Sequence, residues 1–311
     1  MAIGGRTADV GKRLAGQALA RCGTFRMKIL LTGASGQVGY ELERSLQGLG
    51  EVIALDRARM DLADLDQVRD LIRAIKPGLI VNPAAYTAVD KAESEPDLAR
   101  RINAEAPAVM AQEAKALGAA LVHYSTDYVF DGSKNGAYRE DDATGPINVY
   151  GQTKLEGELA IAASGVDHLI LRTSWVYGMR GKNFLLTMMR LAKERDELRV
   201  VADQHGAPTW SRTIADSTAH ILAQARAGGA PWWSTHGGTY HLSSQGQTTW
   251  FDFTCEILKT AGLECKVLPI ASFEYPVPAR RPQNSVLSSD KLRASLCDLP
   301  DWKTALRLCL T

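Results

Sequence analysis

Cysteine is sparse and unpatterned. Its five residues (Cys22, Cys255, Cys265, Cys297, Cys309) are odd in number, scattered, and nowhere spaced as Cys-x-x-Cys. That argues against a disulfide framework and against the usual zinc spacing. Free thiols are the simplest reading, which suits a cytoplasmic protein. An excess of one charge is lacking too. Lys and Arg number 36 against 35 Asp and Glu, for a net charge of +1 at pH 7. Nothing therefore draws the chain to nucleic acid or to an anionic membrane surface. No apolar run approaches the roughly 20 residues of a transmembrane helix. Internal repeats and low-complexity tracts are absent as well. What is left is a chain of 311 residues with ordinary globular composition, long enough for one large or two modest domains.

The first 26 residues stand apart. Met1 to Arg26 is rich in Gly, Ala and Arg, has no apolar segment of signal-peptide length, and carries Asp9. It makes a poor targeting signal. A strand starting at Met27-Lys28-Ile29-Leu30-Leu31 reads as the natural beginning, so residues 1–26 are expected to be a non-native or disordered extension.

From there strands and helices alternate. Lys28 to Leu31 runs into Thr32-Gly33-Ala34-Ser35-Gly36-Gln37-Val38-Gly39, and a helix follows to Leu49. A strand, a glycine loop and a helix in that order form a cradle for a dinucleotide. Glycine permits the tight turn, and the pyrophosphate rests on the helix N-terminus. The spacing is Gly-x-x-Gly-x-x-Gly, so the flanking elements carry the reading more than the glycines do. Strand two, Glu51 to Leu55, ends at Asp56, which suits the adenosine ribose hydroxyls and NAD; Arg57 beside it suits a 2′-phosphate and NADP. Asp61 and Leu62 fit the edge and face of an adenine. Asp64 with Gln67 resembles a capping box for the helix Leu65 to Ile75.

Strand three, Leu79 to Val81, is wholly apolar, as a central parallel strand should be. Ala84, Ala85, Tyr86 and Thr87 follow it. A helix from Glu95 to about Gly118 is expected to bend near Pro107. Strand four, Ala120 to Tyr124, ends in Ser125-Thr126-Asp127, and strand five spans Asp167 to Arg172. This rhythm predicts an α/β fold, a doubly wound parallel sheet of Rossmann type. A smaller C-terminal α+β substrate domain is expected beside it. Residues 27–175 plus about 203–228 would form the dinucleotide domain, and about 176–202 with 238–311 the substrate domain. Gly228-Gly229-Ala230-Pro231 reads as a surface loop. The proline-rich stretch 269–282 carries Arg280 and Arg281, which could clamp a phosphorylated ligand.

Between strands four and five lies Asn148-Val149-Tyr150-Gly151-Gln152-Thr153-Lys154. Tyr150 and Lys154 are four apart, hence on one helix face. A cation beside a phenol lowers its pKa and makes Tyr150 a candidate acid/base. With the glycine loop and Thr126 on the same sheet edge, the set reads as hydride transfer coupled to general acid catalysis.

These segments, with Tyr86 to Glu93, Ser125-Thr126-Asp127-Tyr128-Val129-Phe130, Arg172 to Tyr177 and Gly206-Ala207-Pro208-Thr209, resemble the extended short-chain dehydrogenase/reductases. Within that superfamily they closely resemble the dTDP-4-dehydrorhamnose reductase family, over roughly residues 27–310. The resemblance implies Thr126, Tyr150 and Lys154 as the catalytic trio, with NADPH or NADH as cofactor. Gly33, Gly36, Gln37, Val38, Gly39, Asp56, Asp61, Leu62, Ala85, Tyr86 and Thr87 would complete the cofactor site. Thr126, Asp127 and Trp175, together with Val89 and Arg280, would meet a nucleotide-sugar substrate. It implies a monomer or homodimer. Some members bridge subunits through Mg²⁺ held by carboxylates, but Arg212 and Lys303 stand where two of those acids are expected, which speaks against the metal. Two rivals share the fold. A nucleotide-sugar dehydratase or epimerase is disfavoured because dehydratases have an adjacent Asp-Glu pair where this chain has Asp127-Tyr128. The other is a non-catalytic NADP-binding regulatory subunit, like that of methionine adenosyltransferase.

Overall fold

The computed structural model describes residues 27–311, so the reading of residues 1–26 falls outside the described part. Five strands come first: β1 (Lys28–Leu31), β2 (Glu51–Ala54), β3 (Leu79–Asn82), β4 (Ala120–Thr126) and β5 (His168–Thr173). Seven more follow: β6 (Val176–Tyr177), β7 (Glu197–Val201), β8 (His205–Gly206), β9 (Thr209–Trp210), β10 (Gly238–His241), β11 (Thr248–Thr249) and β12 (Lys266–Ile270). Six of these make one parallel sheet in the order β10-β5-β4-β3-β1-β2. The chain leaves β1 for β2 on one side, then returns to place β3 on the other. The crevice beyond the C-terminal ends of β1 and β3 is therefore the topological switch point, where sheets of this kind bind ligands. The fold is the expected Rossmann-like α/β architecture.

Burial on both faces explains why Ile29, Leu30 and Leu31 of β1 are all apolar after the exposed Lys28. Ile29 and Leu31 pack with Leu42 of the helix Gln37–Ser45 and its C-cap Leu46, and with Ile214, Ile221 and Leu222 of the helix Ser211–His236. Leu30 faces the opposite side, with Val68 and Ile72 of the helix Leu65–Ile75 and Met110 of the helix Ala106–Leu117. A third core, built on Tyr177, Leu185, Leu198, Phe253, Ile257 and Leu306, belongs to the smaller C-terminal lobe.

Three expectations need correcting. The substrate domain does not resume at residue 238, because β10 pairs with β5 and completes the central sheet. Gly228 to Pro231 is not a surface loop. The helix breaks only at Gly229 (φ 60°, ψ −151°) and continues to His236. Pro231 sits near the start of the second segment, where its missing N–H costs little, and Trp232 is buried in the core beyond it. The third concerns the bend at Pro107. The helix Pro96–Arg100 passes into a π-helical turn at Arg101–Glu105 before the straight run Ala106–Leu117. Pro107 has no N–H for the carbonyl of Asn103, so the widened turn falls just ahead of it. That carbonyl faces the helix Val149–Ser164, where a Cβ at Gly157 would collide with it. Glycine at 157 lets the two elements close up.

The helix Val149–Ser164 is also pinned to β5. Arg172 donates to Glu158 through Nε (3.0 and 3.1 Å) and Nη2 (2.6 Å), with both side chains buried. Removing one partner strands the other in the interior. Arg172→Ala is expected to cost about 3–5 kcal/mol, read as a lower urea midpoint. The apolar double replacement Glu158→Leu/Arg172→Met should recover most of that loss.

Candidate active site

The glycine loop follows β1 because β1 must turn sharply to start its helix. Gly33 has φ +58°, a left-handed conformation that glycine adopts without strain. The Gly36 amide closes the turn on the Gly33 carbonyl at 2.9 Å. A Cβ at Gly39 would strike that same carbonyl, so the third glycine seats the helix against the loop. Opposite stands Pro83-Ala84-Ala85 after β3. Between them opens a cleft of about 610 Å³.

The sequence-predicted residues Gly33, Gly36, Gln37, Val38, Gly39, Asp61, Leu62, Ala85, Thr87, Tyr150 and Lys154 all line this cleft. Asp56 and Tyr86 are not among the residues lining it. Asp56 Oδ1 accepts the Arg59 amide at 3.1 Å and so caps its own turn. Arg57, the alternative at that position, does line the cleft. The Tyr86 side chain is buried, its hydroxyl donating to Glu95 at 2.6 Å. Gln67 departs from the expected capping box. Asp64 accepts the Gln67 amide, but Gln67 Oε1 accepts the amide of Asp61 at 2.7 Å and thereby fixes Asp61 and Leu62 in the wall.

The helix Val149–Ser164 starts where Asn148 Oδ1 accepts the Gly151 amide at 2.8 Å. Tyr150 is half-buried and meets Tyr128 edge-on, with centroids 5.9 Å apart. Lys154 is buried, donating to the Tyr124 carbonyl at 2.6 Å and lying 2.9 Å from His123 Nε2. Burial pushes the Tyr150 phenol up to about 12, the Thr126 hydroxyl pulls it back, and the Asp127 charge adds to the rise. Burial brings Lys154 down to about 8, against the opposing pull of Glu158. The depression expected from Lys154 is not seen: burial, Thr126 and Asp127 set the phenol, and burial is the largest of the three. Thr126 and Asp127 are buried and lie outside the cleft wall, with Thr126 Oγ1 donating to Asp127 Oδ1 at 2.9 Å. Burial raises Asp127 to about 6, opposed by hydrogen bonds from Ser285 and Thr126.

Trp175, Val89 and Arg280 lie outside the cleft wall as well. Trp175 has φ +46° and stacks on Trp250 with centroids 3.5 Å apart. Its ring occupies the space a Cβ at Gly206 would need, which gives the Gly206-Ala207-Pro208-Thr209 turn its glycine. Val89 opens the short helix Val89–Ala92. The neighbouring Asp90 takes both Nη atoms of Arg281, at 3.0 and 2.9 Å. The Arg280 side chain is exposed, while its carbonyl accepts Asn148 Nδ2 at 2.8 Å.

The sequence reading missed several residues. Asn103 brackets the Tyr86 backbone, accepting its amide at 2.8 Å and donating to its carbonyl at 3.2 Å, and also reaches Thr153 Oγ1. It ties the wall after β3 to the helix Val149–Ser164; its position four before Pro107 was the available signal. Ser125 and Thr173 close the C-terminal ends of β4 and β5, line the cleft, and keep buried hydroxyls without a partner among the described residues. Lys182 brings a further cation to the wall. Among the described residues no three His, Cys, Asp or Glu side chains gather to hold a metal. Arg212 instead approaches Asp216 at 4.0 Å, and the Lys303 ammonium sits over the Trp302 ring. These residues do not fit Mg²⁺.

Residues 27–311 match the family described as RmlD substrate binding domain. A dTDP-4-dehydrorhamnose reductase of Burkholderia thailandensis is 51% identical over 91% of this chain and 98% of its own. That of Escherichia coli K12 is 46% identical over 91% and 97%. The solved dTDP-4-dehydrorhamnose reductase of Bacillus anthracis in complex with NADP superimposes with a TM-score of 0.85 at 36% identity, covering 92% of this chain and 99% of that one. On its length-wide match and its shared fold, the chain belongs to the RmlD substrate binding domain family, that of the dTDP-4-dehydrorhamnose reductases.

Proposed function

We propose that this protein is an oxidoreductase that reduces the C4 ketone of dTDP-4-dehydro-6-deoxy-L-mannose (dTDP-4-dehydro-β-L-rhamnose) to dTDP-L-rhamnose, with NADPH or NADH as hydride source and Tyr150 as proton donor. The carrying observation is Tyr150 itself. It is a phenol in the wall of the dinucleotide-type cleft, and burial keeps it protonated at neutral pH. Ketone reduction needs an acid in that state. The proton leaves the phenol oxygen for the carbonyl oxygen as the carbon gains hydride.

The cleft suits the cofactor. The helix N-terminus at Gly36 and Gln37 fits a diphosphate. The unpartnered hydroxyls of Ser125 and Thr173 offer hydrogen bonds at the reacting end. When bound, the dinucleotide supplies the hydride. Lys154, a cation one turn from Tyr150, would hold the ribose and stabilise the phenolate left after proton transfer. Thr126 would bond the same substrate oxygen, and the exposed Arg280 is placed to meet a phosphate of the substrate.

The dehydratase reading finds less support. Where that chemistry needs a second carboxyl group, the chain presents Tyr128, whose phenol is pushed up by burial and by Asp127.

NADPH oxidation on the enzymatically made keto sugar tests the proposal. Tyr150→Phe is expected to lower kcat by roughly 10²- to 10⁴-fold with the Kd for NADPH nearly unchanged; a near wild-type kcat would overturn the assignment. Cofactor choice has its own test. Arg57→Ala should weaken NADPH roughly tenfold by removing a charge-assisted contact and leave NADH unaffected, as read by cofactor fluorescence titration.

A further inference from the structure

Behind the cleft a line of buried polar side chains crosses three strands. Lys154 Nζ lies 2.9 Å from His123 Nε2 on β4. His123 Nδ1 lies 3.0 Å from the Asn82 amide on β3. Asn82 meets Thr32 Oγ1, just past β1, at 2.6 Å. Thr32, Asn82, His123 and Lys154 are each at most 1% exposed. Such groups are costly to bury unless hydrogen-bonded, and each of these is.

Counting protons gives this line its meaning. A charged lysine has three N–H bonds. One is taken by the Tyr124 carbonyl and one points at His123. A single N–H is left, and Lys154 lines the cleft along with Tyr150. The imidazole and the amide can also satisfy either charge state of the lysine. With Lys154 charged, Nε2 accepts from it, Nδ1–H donates to the Asn82 carbonyl oxygen, and the Asn82 NH₂ donates to Thr32. With Lys154 neutral, Nε2–H donates to its lone pair, the Asn82 NH₂ donates to Nδ1, and the Thr32 hydroxyl donates to Asn82. A neutral histidine has one donor and one acceptor, and a rotated amide exchanges its two ends. The structure places the Thr32 hydroxyl donating to Asn82 Oδ1 and the Asn82 NH₂ facing His123 Nδ1, the orientation of the second state.

We propose that His123, backed by Asn82 and Thr32, is a positioning residue for the reaction: it aims the one free N–H of Lys154 at the cleft and gives that lysine a complete set of partners in both charge states. His123 itself stays neutral, because burial and the adjacent ammonium both hold its pKa well below the ordinary value. The other charged or titratable groups around Lys154 are Tyr150 and Glu158 on its own helix, Asp127 just past β4, and Arg172 of β5 acting through Glu158. On this proposal, loss of the Lys154 proton, which burial favours, gives the alkaline limb of activity.

The kinetic part of this proposal rests on the reduction reading; its binding part does not. His123→Leu removes the acceptor. The buried ammonium loses a charge-assisted bond, so Lys154 should release its proton more readily. The alkaline limb of kcat should move to lower pH by about one unit. At neutral pH the Kd for NADPH, followed by its fluorescence, should rise about fivefold. His123→Gln keeps an acceptor and a donor and should restore both values most of the way. Thr32→Val, a near-isosteric change at the far end of the line, should shift both in the same direction by less, and it stands in if His123→Leu does not fold. An unmoved limb with an unmoved Kd in the folded variants overturns the proposal, and so does a His123→Gln variant as impaired as His123→Leu. A wild-type protein that binds NADPH without turning over the keto sugar defeats the reduction reading alone, and the fluorescence series still decides the role of His123.

Discussion

A cation shut away from water must be supplied with acceptors, and Lys154 imposes that condition on the whole centre of the molecule. Its carbon chain fills core space while its ammonium is held by the Tyr124 carbonyl and His123. For this to hold, the helix Val149–Ser164 must lie very close to the sheet. Gly157 permits the approach to the Asn103 carbonyl, and the Arg172–Glu158 pair fixes the helix against β5. The same helix carries Tyr150 four residues earlier, so the phenol's place in the cleft follows from where the lysine is buried. A longer side chain at 157 would disturb the site without touching it.

The π-helical turn at Arg101–Glu105 serves the same closeness from the other side. Its wider turn presents Asn103 to three acceptors and donors at once: the Tyr86 amide, the Tyr86 carbonyl and Thr153 Oγ1. One side chain thereby holds the cleft wall after β3 in register with the helix that carries Tyr150 and Lys154. Ile102, its neighbour in the turn, faces the cleft directly. The shape of the cleft is set by this irregular turn as much as by the glycine loop.

How much of this was legible in the sequence follows from the range of each interaction. The glycine loop and the strand–helix rhythm are local, and their placement needed only spacing and polarity. The Tyr150–Lys154 spacing was equally local, so the two residues were found. Their electrostatics were not. The pair suggests a depressed phenol pKa, but whether charge or desolvation wins depends on burial by β4 and the surrounding core, which spacing does not encode. Asp56 shows a related limit. An acid after strand two can turn toward the ribose or toward its own loop, and the Arg59 amide three residues on decides for the loop. Gly228 to Pro231 reads as a loop by composition, yet Trp232 just beyond it finds the core and the helix continues. Asn103 and His123 act through contacts 17 to 50 residues away in the chain, beyond the reach of any window.

The raised phenol also bears on the direction of the proposed chemistry. A tyrosine brought down toward neutrality would serve oxidation, where a base must take the alcohol proton. One pushed up to about 12 keeps its proton and serves reduction. On the proposed reading, the phenolate left behind would face Lys154, whose charged form burial disfavours. A proton passed from Lys154 to Tyr150 would leave a neutral amine in the interior. Burial, which costs a charged lysine dearly, favours that neutral amine. Desolvation thus acts on both groups in the sense that returns the phenol to its protonated form, ready for the next ketone.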